Sequence, residues 1–295
     1  PDIPFDRSIN PYRGCEHGCV YCYARPSHAY LGLSPGLDFE TRLYAKANAA
    51  QLLRDELGKP GYRCGMIALG ANTDPYQPIE RERRITRGIL EVLSECDHPV
   101  GIVTKSALVE RDLDLLAPMA AKNLVRVHVS VATLDRELAR RMEPRAASPR
   151  RRLETIRALS GARVPVGVMA APVIPFLTDS ELEQILEAAH GAGARFADYV
   201  LLRLPHEMAE LFRAWLGIHY PLKAKHVMSR IVAMREGREN DPQFGSRMRG
   251  SGVFADLLAK RFRIACERLR LNAGCEPLDT SRFRAPARHG QLSLF

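Results

Sequence analysis

The chain has 295 residues, 46% of them hydrophobic, enough to build one large α/β barrel or two small domains around an ample core. No apolar run approaches the ~20 residues needed to cross a bilayer, and seven scattered cysteines, neither dense nor even in number, argue against a disulfide framework. A net charge of +9 favours a polyanionic partner, although solubility alone accounts for a charge of this size.

No secretory segment is visible, and free cysteines predict a reducing cytoplasm. The chain opens at Pro1 without a methionine, so an N-terminal piece is expected to precede it. Residues 5–12 are expected to form a first strand feeding the stretch NPYRGCEHGCVYCYARPS at 10–27. This stretch holds Cys15, Cys19 and Cys22 in a C-x3-C-x2-C run, with Tyr21 and Tyr23 flanking the last cysteine. Three thiolates in one short loop can grip a compact, soft metal centre without distant ligands. A structural zinc site would need a fourth ligand, for which His17 and His28 are candidates, and usually a second cysteine pair. Cys64, Cys96, Cys266 and Cys275 are too scattered to supply that pair. The pattern predicts a [4Fe–4S] cluster on three cysteines with one iron open to an exogenous ligand, with zinc as the alternative.

Apolar side chains at helical spacing predict a helix over 46–57, and the run MIALGA at 66–71 reads as a buried strand. A helix over 80–96 carries Ile85, Ile89, Leu90 and Leu93 on one face. Strands are expected over 100–104, 124–131, 164–171 and 197–204, with helices over 111–121, 135–141, 149–160 and 179–192. About six strand–helix alternations predict parallel βαβ units; an open doubly wound sheet would give the same alternation. Beyond 204 the pattern turns helical and basic, with helices over 207–216, 223–235 and 253–271. The last is expected to bury Phe254, Leu257, Leu258, Phe262 and Leu269 and to show Lys260, Arg261, Arg263, Arg268 and Arg270. Between the last two lies ENDPQFGSRMRGSG, with Arg247 and Arg249. A solvated face and a phosphate-tracking patch fit these arginines equally. The organisation expected is a barrel over 1–204, a basic helical extension over 205–275 and a flexible tail over 276–295.

The cysteine spacing, with an aromatic just before the third cysteine, resembles the radical S-adenosylmethionine (radical SAM) superfamily. Further pieces narrow the resemblance to the spore photoproduct lyase family: VTKS ending at Ser106, VHVSVAT ending at Thr133, MEPRAASPRRRLE ending at Glu154 and APVIP ending at Pro175. The match covers about residues 9–204. It implies a partial (β/α)6 barrel, S-adenosylmethionine held on the open iron by its amino and carboxylate groups, and reductive cleavage to a 5′-deoxyadenosyl radical. It also implies a damaged or modified DNA base as substrate and a small electron donor such as a flavodoxin or ferredoxin. In a parallel barrel the working residues stand at the C-terminal ends of strands. By the resemblance Lys105 and Ser130 would contact the cofactor, with Tyr21, Asn72, Asp74 and the run from Ala171 around it. Lys105 would pair with the methionine carboxylate, Ser130 with a ribose hydroxyl, and the run at 170–174 would pack on adenine. Tyr21 and Tyr23 would sit near the cofactor and in radical return.

One departure stands out. Photoproduct lyases return a hydrogen atom from a cysteine at the end of the second strand, where this chain has Ala71-Asn72-Thr73-Asp74. Cys64 precedes that strand and is expected as a small buried residue at the far end of the barrel. Two other classes fit the same residues: a radical enzyme modifying RNA, a peptide or a small molecule, and a non-enzymatic nucleic-acid-binding module with a structural metal. The final residues, Gln291-Leu292-Ser293-Leu294-Phe295, follow a basic stretch, TSRFRAPARHG, expected to be extended or disordered. They resemble the peptide by which bacterial DNA repair and replication proteins dock on the sliding clamp, which makes the clamp an expected partner. A tail tucked onto its own domain is the alternative.

Overall fold

The structure is a computed structural model and describes residue 3 and residues 5–286. Strands β1 (Arg7–Ile9), β2 (Ile67–Leu69), β3 (Val100–Thr104), β4 (Val125–Ser130), β5 (Val166–Val173) and β6 (Phe196–Leu201) form one parallel sheet in chain order. The register pairs Arg7 with Ile67, Ile67 with Val100, Val100 with Val125, Val127 with Val166 and Gly167 with Phe196. Every crossover adds its strand on the same side. A doubly wound sheet reverses direction at a switch point; this one never does, so it curls as a partial (β/α)6 barrel.

The covering helices are α1 (Ala49–Leu57), α2 (Ile85–Glu95), α3 (Leu113–Ala121), α4 (Arg136–Met142), α5 (Pro149–Gly161) and α6 (Leu182–Gly191). Helical periodicity turns Ile85, Ile89, Leu90 and Leu93 of α2 into the core. The single helix expected over 80–96 is broken, because Arg84 adopts a left-handed backbone at φ 52°. The break lets the buried Glu80 carboxylate accept from the N–H groups of Thr86 (3.0 Å) and Arg87 (3.3 Å), satisfying donors that the start of α2 leaves open.

Three further helices follow: α7 (Met208–His219), α8 (Pro221–Ala233) and α9 (Val253–Leu269). The last lies along α6, with Arg261 paired to Glu183 at 2.6 Å and Arg268 paired to Glu187. Its buried side chains are Ala255, Leu258, Ala265 and Cys266. Leu257 is exposed, against expectation, because the face turned to α6 is narrower than the apolar stripe in the sequence. Residues 276–286 form no helix or strand yet are tied across the N-terminal ends of the strands. Asp279 N–H donates to Asn123 O (2.9 Å), Arg284 N–H donates to Cys96 O (2.9 Å), and the Phe283 ring lies 5.3 Å from Tyr62 and 5.4 Å from His98. This part of the expected flexible tail is therefore a strap; Gln291 to Phe295 lie outside the described residues. Cys64, in the irregular segment leading into β2, is half-buried rather than buried. Among the described residues no helix is long and apolar enough to cross a membrane.

Candidate active site

The cysteine loop lies over the C-terminal ends of the strands, and its carbonyls are captured by side chains that the sequence alone did not single out. Arg25, 4% exposed, donates to Cys19 O (2.9 Å), Gly18 O (3.0 Å) and Gly36 O (2.8 Å). Gln77 donates to Gly14 O (3.1 Å) and accepts from Glu16 N–H (2.9 Å). Gly18 has φ +66°, a left-handed backbone that favours glycine, and a Cβ there would push aside the Arg145 guanidinium 2.3 Å away. Gly70 has φ +88° and lies so close to Val103 O that a Cβ would be 2.2 Å away; this tight exit from β2 carries residues 72–77 under the loop.

Each expected site residue has a definite place. Cys15 and Cys19 are buried and Cys22 half-buried. Burial pushes all three thiols up, Cys19 to about 12, and neighbouring thiols add to this at Cys15 and Cys19. Lys105 opposes the rise at Cys19 and Cys22. Its ammonium stands 5.8 Å from the Tyr21 ring centroid. The Tyr21 hydroxyl donates to the buried Glu143, which pairs with the buried Arg152. Arg152 also donates to Ser130 O (2.9 Å) and Ala147 O (2.7 Å), and Ser130 Oγ donates to Ala171 O (3.2 Å). One network therefore joins Tyr21, Ser130 and Ala171.

Asp74 is filled by protein donors. Its carboxylate accepts from Thr104 Oγ1 (2.7 Å), Lys105 N–H (2.7 Å) and Tyr76 N–H (2.9 Å), and His17 Nδ1 is 3.4 Å away. Burial opposes its ionisation, but His17 and these hydrogen bonds prevail and hold it at about 2. It thereby ties the cysteine loop to the end of β3. Asn72 is half-buried in the turn after β2, its N–H donating to Asn10 Oδ1 (2.9 Å). The Tyr23 hydroxyl donates to Ala71 O, and the Arg203 guanidinium lies 5.1 Å from its ring centroid.

A family model described as the Radical SAM superfamily matches residues 9–189. The chain belongs to the radical SAM superfamily. Membership implies S-adenosylmethionine and an iron–sulfur cluster as cofactors. This radical SAM protein is 40% identical over 266 residues to the uncharacterized protein Rv2578c of Mycobacterium tuberculosis, covering 89% of this chain and 76% of that one. It is 28% identical over 173 residues to the uncharacterized protein MJ0683 of Methanocaldococcus jannaschii, covering 59% of this chain and 62% of that one. A spore photoproduct lyase mutant with bound AdoMet and dinucleoside spore photoproduct superposes with a TM-score of 0.63 at 16% identity, covering 91% of this chain and 76% of that one. A likeness at that identity establishes the shared fold.

The residues at the loop suit a cluster. A thiol pushed up by burial is a poor free nucleophile, whereas iron holds a bound thiol deprotonated despite burial. Among the described residues no three His, Cys, Asp or Glu side chains close on one point as single-ion ligands do; a cubane core instead takes one thiolate on each of three irons. His17 is turned to Asp74, and His28 Nε2 lies 3.0 Å from Arg42 O. Sequence reasoning missed Arg25, Gln77, Glu143 and Arg152. Glu143 and Arg152 stand in the quoted MEPRAASPRRRLE run, but among so many charges nothing local marks the two that are buried.

Proposed function

We propose that this radical SAM enzyme acts on damaged or modified bases in DNA. In this reading Cys15, Cys19 and Cys22 hold a [4Fe–4S] cluster whose open iron takes S-adenosylmethionine, supplying reductive cleavage of the sulfonium and a hydrogen-abstracting radical. The observation that carries the cofactor site is Lys105, poised over Tyr21 beside Cys19 and Cys22 at the open end of the barrel. Its ammonium is the group for the methionine carboxylate. Ser130 spends its proton on Ala171 O and keeps lone pairs to accept from a ribose hydroxyl. Ala171 lines the adenine side, Asn72 borders the site, and Asp74 acts by holding Lys105 and His17 in place. Tyr21, locked by Glu143, orients the centre. Tyr23 reaches Ala71 at the end of β2, where photoproduct lyases carry their hydrogen-returning cysteine, and takes that role here.

DNA is supported by the fold shared with spore photoproduct lyase, the +9 charge and the terminal QLSLF. The strap delivers Pro286 beside Gly58 at the end of α1, on the closed side of the barrel. A sliding clamp held by Gln291 to Phe295 would raise the local concentration of enzyme on DNA. The test is anaerobic incubation of reduced holoenzyme with deuterated S-adenosylmethionine and a panel of damaged oligodeoxynucleotides. A lesion that disappears with deuterium exchange is expected; no turnover of any oligodeoxynucleotide, with turnover of RNA, a peptide or a small molecule in parallel incubations, overturns the reading. Lys105→Ala is expected to weaken S-adenosylmethionine binding by about 1.5–3 kcal/mol with iron and sulfide content unchanged. Unaltered affinity removes Lys105 from the site.

A further inference from the structure

The cations around the barrel mouth divide by partner. Arg25 and Arg145 share Glu40, Arg140 and Arg141 share Glu137, and Arg87 is held by Asp112 and Asp114. Arg13, Lys46, Arg81, Arg83 and Arg84 are different. All five are exposed, and among the described residues no carboxylate stands within ion-pair distance of any of them. They come from the two connections that leave β1 and β2 at the open end of the barrel, so all five belong to the mouth rim.

Three ties bring these connections together. Residues Tyr12–Arg13 pair antiparallel with Tyr44–Ala45, which sets Arg13 opposite Tyr44, and Lys46 N–H donates to Pro11 O (3.0 Å). Arg13, Tyr44 and Lys46 therefore share one face of this short ribbon. The Tyr12 hydroxyl, on the other face, donates to Glu80, and Ile79 N–H donates to Glu16 Oε2 (2.5 Å), fastening residues 79–84 beside the ribbon. Ala50 and Gly88, four residues beyond Lys46 and Arg84, are packed together: a Cβ on Gly88 would lie 3.5 Å from that of Ala50. Partial burial and then the charge of Arg13 pull the Lys46 ammonium below its ordinary value, so the two cations feel each other.

This arrangement works against the isolated fold. Lys46 and Arg84 stand at the starts of α1 and α2, where the helix dipole is itself positive, and Arg84 takes a left-handed backbone at φ 52°. Clustered cations without counter-charges repel, and a polyanion laid over them turns that repulsion into attraction. A protein partner would need an apolar or aromatic centre to the contact. In these segments Tyr44 is the single large exposed apolar side chain. A DNA interface is strongly cationic and needs no such centre. A base brought to the mouth also carries its flanking phosphates across the rim.

We propose that Arg13, Lys46, Arg81, Arg83 and Arg84 form a phosphate track that holds the DNA duplex flanking the base presented to the mouth. The proposal rests on the DNA reading above. It adds that affinity comes from the backbone on the β1–β2 side and carries no sequence information.

Fluorescence anisotropy of the reconstituted holoenzyme with a labelled, undamaged DNA duplex, followed across a salt series, tests it. Each of Arg13→Gln, Arg81→Gln and Arg83→Gln is expected to shrink the loss of affinity between about 50 and about 200 mM salt roughly threefold, and the triple variant about fortyfold, as one and three lost phosphate contacts require. Arg195→Gln removes the same charge from an exposed position at the closed end, just before β6, and is expected to leave the salt dependence unchanged. Melting points matching the parent confirm that the variants fold. If the triple variant binds duplex with the parent's salt dependence, the track is wrong and the DNA reading stands. If it instead loses only affinity for polyglutamate, the patch serves an acidic protein and the track is equally wrong. If the parent binds neither duplex nor single-stranded DNA at low salt, the DNA reading itself fails and the track with it.

Discussion

At the open end of the barrel the buried polar side chains are mostly charged and engaged: Arg25 on the loop carbonyls, Arg152 on Glu143 beneath Tyr21, and Asp74 between His17 and Lys105. At the closed end the buried Asp97 pairs with the exposed Lys122 (2.5 Å), while the polar group packed among the rings is neutral. His98 is packed against Tyr62 and Phe283, with its Nδ1 3.0 Å from Pro99 O and its Nε2 2.8 Å from the Tyr62 hydroxyl. A neutral imidazole bearing its proton on Nδ1 satisfies both contacts, donating to the carbonyl and accepting from the hydroxyl. Burial accordingly holds His98 down at about 4. The contrast is instructive because a buried ion pair is a weak source of net stability: desolvating the charges costs about what their attraction returns. The end that uses such pairs is the one where loop carbonyls, thiols and Lys105 must be held in place. The end closed by the strap relies on rings and a neutral imidazole, with its charge confined to Asp97 and the exposed Lys122 and Arg284 around it.

Three changes probe that contrast, in order of expected effect. Replacing any one of Cys15, Cys19 or Cys22 by Ala is expected to abolish cluster binding and reductive cofactor cleavage, whereas Cys64→Ala at the other end leaves both intact. Iron and sulfide analysis decides, and cluster loss in Cys64→Ala contradicts the assignment. Next in size, Arg152→Leu strands the buried Glu143 carboxylate and is expected to cost about 3–5 kcal/mol of stability in urea unfolding. Removing both charges, in Glu143→Leu with Arg152→Leu, should recover much of that loss; a double variant as unstable as the single one refutes the pairing. The smallest effect belongs to the closed end. The folded-state value of His98 lies below its ordinary 6.5, so between 6.5 and about 4 the unfolded chain takes up a proton that the folded chain refuses. Its contribution is therefore undiminished above 6.5 and declines as pH falls toward 4, by at most about 1.4 kcal/mol per pH unit. Melting curves across that window should be flatter for His98→Gln than for the parent, and parallel curves would remove His98 from the acid response.

What the sequence determined by itself was whatever depends on near neighbours. Three cysteines within eight residues define their loop without help from the fold, and the six apolar strands with intervening helices announce parallel βαβ units. The strand ends near Asn72, Asp74, Lys105, Ser130 and Ala171 follow from the same alternation, because each lies within a few residues of the place where a strand ends. Other features needed partners far away in the chain. The strand order could have reversed with no change in any local pattern, and only the pairing of β1 through β6 in sequence selects a barrel over a doubly wound sheet. Arg84 breaks a periodic helix because Glu80, Tyr12 and Arg111 meet at its start. Leu257 points outward because α6 sets which face of α9 is covered. Arg152 and Arg150 are two residues apart and chemically identical, yet one is buried on Glu143 and the other is 90% exposed. Periodicity can place a side chain on a face, but whether a charge is buried depends on a counter-charge and carbonyls supplied by other strands, and those are assembled only by the tertiary structure.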